Sequence, residues 1–405
     1  ALPISVNDFQ SMRKVLSFSL FLMLGLVASQ LLPGALGTAY PGFKATADTL
    51  LYICLGFIMI NVGREFEIDK SRWRSYTADY FIAMATAALP WLLIVLYYIF
   101  VLLPSDLWTD SAAWKENLLL SRFAAPTSAG ILFTMLAALS LKNSWIYRKI
   151  QVLAIFDDLD TILLMIPLQI LMIGLRWQMF AIIAIVVVLL AAGWRWQARW
   201  NVRQDWKTIL GLAVVVCALT QAVYIATAKL YGPENSIHIE VLLPAFVVGM
   251  LMKHKHIDTP TEQRVSTGIS FLFMLLVGLS MPLVTGAPAD TAAAASVTGS
   301  QPMMPWGTLL LHVVTVSVLS NLGKLVPLFF YRDRKVSERL ALSIGMFTRG
   351  EVGAGVIFIA LGYSLGGPAL IISVLTLVLN LILTGGFVVW VKKLALRSYT
   401  PEPEA

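Results

Sequence analysis

Three acidic residues lie close together inside an apolar stretch, in the sequence Leu153-Ala-Ile-Phe-Asp157-Asp158-Leu-Asp160-Thr161. On a helix, successive residues are about 100° apart, so Asp157 and Asp158 point to adjacent faces and Asp160 lies near Asp157, one turn further on. Three carboxylates this close cannot all stay ionised in a low-dielectric site unless cations lie nearby. The pattern predicts a carboxylate that exchanges a proton for a metal cation. The alternative is a helix end in water, where the acids are merely solvated.

A single basic residue, Lys324, lies within a second apolar stretch that also includes Ser317 and Asn321. A buried amine and a buried carboxylate relieve each other, so we expect Lys324 to pair with an aspartate of the acidic group. The alternative is that the long side chain of Lys324 extends to the aqueous surface.

Two other apolar stretches contain residues that interrupt helices, at 122–130 (RFAAPTSAG) and at 345–355 (GMFTRGEVGAG). In the first, Pro126 removes a backbone donor and disfavours helix at the residue before it. The second has four glycines and an Arg/Glu pair, Arg349 and Glu351, which are poor helix formers in an apolar span. We predict a break in both helices. The alternative is an ordinary Pro/Gly kink.

The composition shows which class of protein carries these residues. Of 405 residues, 58% are apolar and 13% are charged, whereas soluble domains are roughly 45–50% apolar and about 25% charged. A soluble enzyme and a disordered chain are therefore excluded. Cys54 and Cys217 lie in apolar runs, so a disulfide scaffold is excluded as well.

Twelve apolar stretches are long enough, or nearly long enough, to cross a bilayer core of about 30 Å as helices. None of them alternates as a barrel strand would. The first follows Arg13 and Lys14 without a convincing cleavage site, so we count it as a span and not as a signal peptide. The stretches are 15–32, 47–62, 77–103, 115–139, 148–173, 177–196, 206–229, 237–252, 264–284, 306–331, 338–362 and 367–393. The predicted fold is an all-α polytopic membrane protein without a soluble domain.

The basic residues predict the orientation of these spans. With the N-terminus in the cytoplasm, 23 of the 30 Lys and Arg residues lie on the inner side and 4 on the outer side. The other three, Arg122, Lys324 and Arg349, lie within spans. Because inner loops carry the excess of basic residues, we predict both termini in the cytoplasm. We expect a multi-pass protein of the plasma membrane, which in a bacterium is the inner membrane. The net charge of +7 is explained in this way, without a nucleic-acid partner.

The interrupted stretches belong to spans four and eleven, which occupy corresponding positions if spans three to five and ten to twelve are inverted repeats. Broken spans in corresponding positions of two halves indicate the binding site of a transporter. We therefore predict one transmembrane transporter domain over residues 1–405.

At this point the sequence resembles the monovalent cation/proton antiporters, in their electrogenic, paired-aspartate branch. Residues 153–159 (LAIFDDL) resemble the paired-aspartate motif. Four other segments match the family pattern in its order along the chain: 55–67 (LGFIMINVGREFE), 243–251 (LPAFVVGML), 271–281 (FLFMLLVGLSM) and 348–351 (TRGE). In 243–251, Pro244 stands in place of that pattern's first glycine.

The resemblance implies roles for individual residues. Asp158 matches the carboxylate that binds the cation or protons, and Asp157 matches its neighbour, which pairs with a lysine of span ten, here Lys324. Thr127 and Ser128 match the unwound part of span four, beside the ion. Arg349, Glu351 and Asp160 are expected to support this site, although Asp160, like Arg122, is not part of the family pattern. How Asp160 does so stays open, and the roles of Arg122, His254 and His256 stay open altogether.

The resemblance further implies a secondary transporter that exchanges Na⁺, or Li⁺ or K⁺, for protons by alternating access. A core bundle (77–173 and 306–393) would move against scaffold and dimerisation helices (15–62 and 206–284). We expect no cofactor besides the transported ions, a homodimer in the lipid bilayer and no enzymatic activity. Aspartyl proteases, for comparison, use two aspartates on different helices. The alternatives are a sodium-coupled symporter of an organic anion on a related fold and a potassium channel, whose filter repeats are absent from the sequence.

Overall fold

The structure is a computed structural model that describes residues 6–65, 73–138, 144–173, 177–232, 239, 241–252, 259–280, 296–363 and 365–398. Two predicted site residues, Asp158 and Glu351, have side chains outside the described part, as do some other residues within helices. His254 and His256 lie outside the described residues altogether.

The described residues form fifteen α-helices and no β-strand, so the predicted all-α class is confirmed. A single isolated β-bridge joins Trp200 to Met252. The helices are α1 (Val6–Leu36), α2 (Tyr40–Glu65), α3 (Trp73–Tyr97), α4 (Ser111–Leu120), α5 (Ala129–Ala138), α6 (Trp145–Ile173), α7 (Trp177–Trp196), α8 (Trp206–Tyr231), α9 (Leu242–Leu251), α10 (Pro260–Leu279), α11 (Trp306–Gly323), α12 (Val326–Phe329), α13 (Val336–Gly345), α14 (Glu351–Gly362) and α15 (Gly367–Ser398).

These helices correspond to twelve spans because three of the predicted spans are each divided in two: α4 with α5, α11 with α12, and α13 with α14. Within the described residues, five helical stretches are individually long and apolar enough to cross a bilayer, at Leu16–Arg64, Tyr76–Leu102, Trp206–Tyr231, Trp306–Phe329 and Gly367–Leu396. The polytopic membrane fold of about twelve spans is confirmed.

Several helices extend beyond the apolar run that predicted them. The second span was expected to begin at residue 47, yet α2 begins at Tyr40. Its first turns include Lys44 and Asp48, which form an exposed ion pair of 3.5 Å four residues apart. Hydropathy marks only the part of a helix that suits hydrocarbon, whereas backbone hydrogen bonds and such pairs continue the helix into the polar region.

The chain divides into two compact units. The first contains residues 1–23, 74–172 and 281–405, and the second contains residues 24–73 and 173–280. All three divided spans, α4 with α5, α11 with α12 and α13 with α14, belong to the first unit.

In the second unit, α2 and α9 approach each other backbone to backbone. A Cβ atom on Gly63 would collide with the carbonyl oxygen of Phe246, and one on Gly249 would collide with the carbonyl oxygen of Ile60. Small residues at a membrane-helix interface permit this close packing, which would otherwise lack a hydrophobic driving force.

In the first unit, polar side chains join α11 to α15. Asn321 Nδ2 donates to Asn380 Oδ1 at 2.9 Å, and Asn380 Nδ2 donates to Ser317 Oγ at 3.1 Å. Gly323, the last residue of α11, lies so close to Pro90 of α3 that a Cβ atom would be 2.5 Å from the proline nitrogen. These contacts fix the end of α11, where Lys324 follows.

Candidate functional site

The two interrupted helices meet at their breaks. After α4, a 3₁₀ turn covers Ser121–Ala124, and regular helix resumes at Ala129. The Ser128 N–H donates to the Thr348 carbonyl at 3.1 Å, and the Thr127 hydroxyl donates to the Met346 carbonyl at 3.1 Å. Each break thus satisfies polar backbone groups of the other, which buried irregular backbone in a membrane protein requires.

The second break is shorter than its glycine-rich sequence suggested. Helix is interrupted between Gly345 and Glu351, and α14 then continues through Gly353 and Gly355. A Cβ atom on Gly353 would lie 3.0 Å from both the Phe123 carbonyl oxygen and Leu377 Cδ1. This glycine therefore serves close packing within a helix and does not break it.

Asp157 lies beside these breaks, on α6, with its side chain fully buried. Its Oδ2 accepts a hydrogen bond from the Thr127 N–H at 2.7 Å. The Lys324 ammonium donates to Asp157 Oδ2 at 3.0 Å and to Oδ1 at 3.1 Å. The ion pair expected from the sequence is present.

Lys324 is also fully buried, which rules out the alternative that its side chain extends to the aqueous surface. Its third short contact is a hydrogen bond of 3.1 Å to the Thr127 hydroxyl. An ammonium group has three donors, and here both oxygens of Asp157 and the Thr127 hydroxyl accept from it. Lys324 itself caps α11, and the short helix α12 begins two residues later.

Arg349 is buried and joins the second break to α11. Its Nη1 donates to the Met346 carbonyl at 2.9 Å, and its Nη2 lies 3.3 Å from Ser320 Oγ and 3.5 Å from the Ser320 carbonyl. These contacts hold the Arg349 guanidinium between the second break and α11. The structure brings together Asp157, Lys324, Thr127 and the Ser128 backbone, whereas Asp158 and Glu351 lie outside the described side chains.

Arg122 and Asp160, whose roles the sequence left open, are neighbours. Arg122 Nη2 donates to the Asp160 carbonyl at 3.0 Å, and its guanidinium carbon lies 4.9 Å from the ring centroid of Trp91. Asp160 also receives a hydrogen bond from the Tyr80 side chain. Arg122 thus brings a third buried positive charge, after Lys324 and Arg349, to the turn of α6 that carries the acids.

Two buried carboxylates of the described part, Asp79 and Glu116, were missed in the sequence. Asp79 of α3 contacts both Lys149 of α6 and Tyr331. A signal was available, because an acid at the third position of the predicted span 77–103 is unusual. It was overlooked because acids near span ends are commonly solvated.

Comparison with solved structures shows that the chain has a known fold. The chain is similar to the sodium proton antiporter MjNhaP1 from Methanocaldococcus jannaschii, with a TM-score of 0.54 and 15% identity over 91% of this chain and 92% of that one. Comparison with curated protein sequences gave no match. The family described as "Sodium/hydrogen exchanger, transmembrane" matches residues 5–394. With almost its whole length covered by that match, the chain belongs to the sodium/hydrogen exchanger family of membrane transporters.

Proposed function

We propose that the protein exchanges a monovalent cation, Na⁺ in the first instance, for protons by alternating access. The observation that carries the proposal is the buried Asp157 carboxylate, paired with Lys324 at 3.0 Å and bonded to the Thr127 N–H at 2.7 Å where two interrupted helices meet. Ionisable groups inside a membrane are costly and are kept where they serve transport.

The contacts of Asp157 suggest how exchange is coupled. Its two oxygens accept from Lys324, so a cation that binds there must displace the ammonium. Hard cations take oxygen ligands, and we assign these to the carboxylates of Asp157 and Asp158 together with oxygens of Thr127 and Ser128. Protons and the cation then compete for the same carboxylates, and this competition couples their movement without a separate gate.

We further propose that the cycle is electrogenic. If two carboxylates each release a proton when one Na⁺ binds, two protons cross the membrane in one direction for each Na⁺ that crosses in the other. Each cycle then moves one net charge. Alternatively, the cation displaces Lys324 from Asp157, and the amine carries the second proton. Both routes carry more protons than Na⁺ per turnover, and they are coupled titrations.

The rival function is a sodium-coupled symporter of an organic anion. That function requires Lys324 or Arg349 to hold the anion. The contacts weigh against it, because Lys324 is occupied by Asp157 and Thr127, and Arg349 donates to the Met346 carbonyl. No organic anion is needed for the exchange we propose.

The site of action that we propose is the bacterial inner membrane, with both termini in the cytoplasm and the protein as a homodimer. The charge distribution supports the orientation, since 23 of 30 basic residues fall on one side of the predicted spans. Arg349, Glu351 and Asp160 are proposed to support the site without binding the ion.

The function is tested in proteoliposomes with an imposed pH gradient, in which Na⁺, Li⁺ and K⁺ are added in turn. We expect Na⁺ to dissipate the gradient without any organic solute. Asp48→Asn, which alters an exposed ion pair of α2, is the matched control and should behave like the wild type. Proton flux that requires an organic anion would contradict the proposal.

A further inference from the structure

A second polar cluster, built around a buried carboxylate, joins α6, which carries Asp157, to the chain that follows Lys324. It consists of Asp79, Lys149 and Tyr331, and we call it the Asp79 cluster. We propose that Asp79 is a positioning residue that sets how tightly Lys324 holds Asp157, and therefore how readily a cation displaces it. The inference rests on the proposed exchange function.

Asp79 accepts three strong hydrogen bonds although its side chain is only 2% exposed. Lys149 Nζ lies 2.6 Å from Oδ2 and 2.9 Å from Oδ1, and the Tyr331 hydroxyl donates to Oδ1 at 2.7 Å. Charge-assisted hydrogen bonds of this length are roughly twice as strong as neutral ones. A buried carboxylate satisfied in this way is a rigid connection between α3, α6 and the segment after α12.

Tyr331 is held in place by more than its hydroxyl group. Its φ of 50° lies in the left-handed region, which residues other than glycine rarely adopt. Its ring makes an edge-to-face contact with Trp145 of α6 at a centroid distance of 5.6 Å, and Lys149 Nζ lies 5.2 Å from the ring centroid. The surrounding contacts must maintain this unfavourable backbone conformation, which turns the phenol toward Asp79.

The Asp79 cluster and the ion pair both connect α6 to the chain that flanks α12, with Lys324 before this short helix and Tyr331 after it. Lys149 precedes Asp157 by eight residues on α6, which is about 12 Å along the helix axis. Tyr331 follows Lys324 by seven residues. Leu328 of α12 lies between Lys324 and Tyr331, and its carbonyl accepts a hydrogen bond of 2.9 Å from Arg339 Nη1. The chain that follows Lys324, as far as Tyr331, is therefore fixed to α6 through Asp79.

The chain immediately before Lys324 is also fixed, and again by a contact with α3. Gly323 lies against the backbone of Pro90, where there is no room for a Cβ atom. Helix α3 thus contacts the chain immediately before Lys324 and again at Tyr331. Because the chain is fixed both before and after Lys324, the Lys324 ammonium has little freedom to move away from Asp157.

A direct consequence concerns cation affinity. When the chain that follows Lys324 is released from α6, the Lys324 backbone gains freedom and the ion pair with Asp157 weakens. Na⁺ then displaces the ammonium at a lower concentration. The maximal rate falls, because re-pairing of Lys324 with Asp157 after cation release becomes slower. A role confined to folding would reduce the amount of active protein and leave the apparent KM for Na⁺ unchanged.

The test uses Tyr331→Phe, which removes one hydrogen bond and keeps the ring, and Asp79→Asn, which removes the charge. We expect the apparent KM for Na⁺ to fall about threefold, the size of a modest coupling between distant sites, together with a lower maximal rate per folded protein. Lys149→Arg keeps a bidentate donor and should preserve the wild-type KM. Asp48→Asn on α2 is the control for loss of an unrelated ion pair.

Hydrogen exchange of the purified full chain supplies a readout that does not depend on transport. The backbone amides of residues 325–331 other than Pro327 should exchange faster in Tyr331→Phe than in the wild type, and as slowly as in the wild type in Asp48→Asn. An unchanged or raised KM in both cluster variants, or unchanged amide exchange, would overturn the positioning role. If the wild type itself shows no Na⁺-dependent proton flux, the proposed function fails, and amide exchange alone decides the positioning role.

Discussion

At the scale of single residues, the site is defined by a buried charge pair with saturated hydrogen bonds. Both side chains of Asp157 and Lys324 are fully buried, and the ammonium has three acceptors. Desolvation of two charges offsets much of their mutual attraction, so such a pair is weak evidence for stability by itself. Removal of one partner is different, because it leaves the other charge buried and unpaired.

Asp157→Asn should therefore destabilise the protein more than loss of both charges does. We expect the single variant to lower the free energy of unfolding by about 3–5 kcal/mol, and Asp157→Asn combined with Lys324→Gln to recover most of that loss. Thermal unfolding in detergent measures both variants. A double variant no more stable than the single one would show that the loss of stability does not come from an unpaired buried charge. Asp48→Asn, at an exposed ion pair, should change stability by less than about 1 kcal/mol.

Asp158→Asn tests the residue that we assign to ion binding. A neutral amide cannot alternate between a proton and a cation, so Na⁺-dependent proton flux should disappear while the protein remains folded and extractable. Flux is measured in proteoliposomes, and folding by size-exclusion chromatography. Retained Na⁺-dependent flux in this variant would refute the assignment.

At the scale of elements, the site depends on two interrupted helices that exchange backbone hydrogen bonds, such as the one from Ser128 N to the Thr348 carbonyl. Gly350 lies at this crossing. A Cβ atom there would be 2.7 Å from Ile131 Cδ1 and 2.9 Å from Ser128 Oγ. By contrast, a Cβ atom on Gly355, further along α14, would meet nothing within 4 Å.

Gly350→Ala and Gly355→Ala therefore form a matched pair. We expect Gly350→Ala to cost about 1–3 kcal/mol through overpacking and to reduce the exchange rate, because Ser128 must shift. Gly355→Ala should leave exchange unchanged and stabilise α14 by about 0.5–1 kcal/mol, since alanine is the better helix former. Thermal unfolding and transport are measured for both. Equal effects of the two substitutions would contradict the importance of close approach at the crossing.

The sequence was sufficient to predict those features that follow from the cost of burying charge. Asp157 and Lys324 lie in different apolar spans, and each needs the other, so their contact was predictable. The contact of Arg122 with the Asp160 carbonyl was not, because an arginine can bond to main chain anywhere along α6. Asp79 was missed because the environment of an acid near a span end depends on the tertiary packing of Lys149 and Tyr331.

At the scale of the whole molecule, the question is how much net charge each cycle moves. The basic side chains of Arg122, Lys324 and Arg349, like that of Lys392, are buried in the same unit of the fold as Asp157 and Asp160, and the first three belong to the site and its surroundings. Of the three, Lys324 alone forms an ion pair with an aspartate among the described residues. The displacement of one lysine by one cation is therefore the step that we expect to set the stoichiometry.

The most direct test is Na⁺ flux in proteoliposomes under a valinomycin-clamped membrane potential, with equal pH on both sides. A potential acts with about 2.3 kcal/mol per elementary charge per 100 mV. If more protons than Na⁺ move in each turnover, the clamp alone should drive Na⁺ uptake or release, and reversal of the clamp should reverse the flux. Asp158→Asn should show no such flux. Wild-type exchange that ignores the clamp would mean one-for-one exchange and would contradict the electrogenic cycle proposed for the Asp157–Lys324 pair.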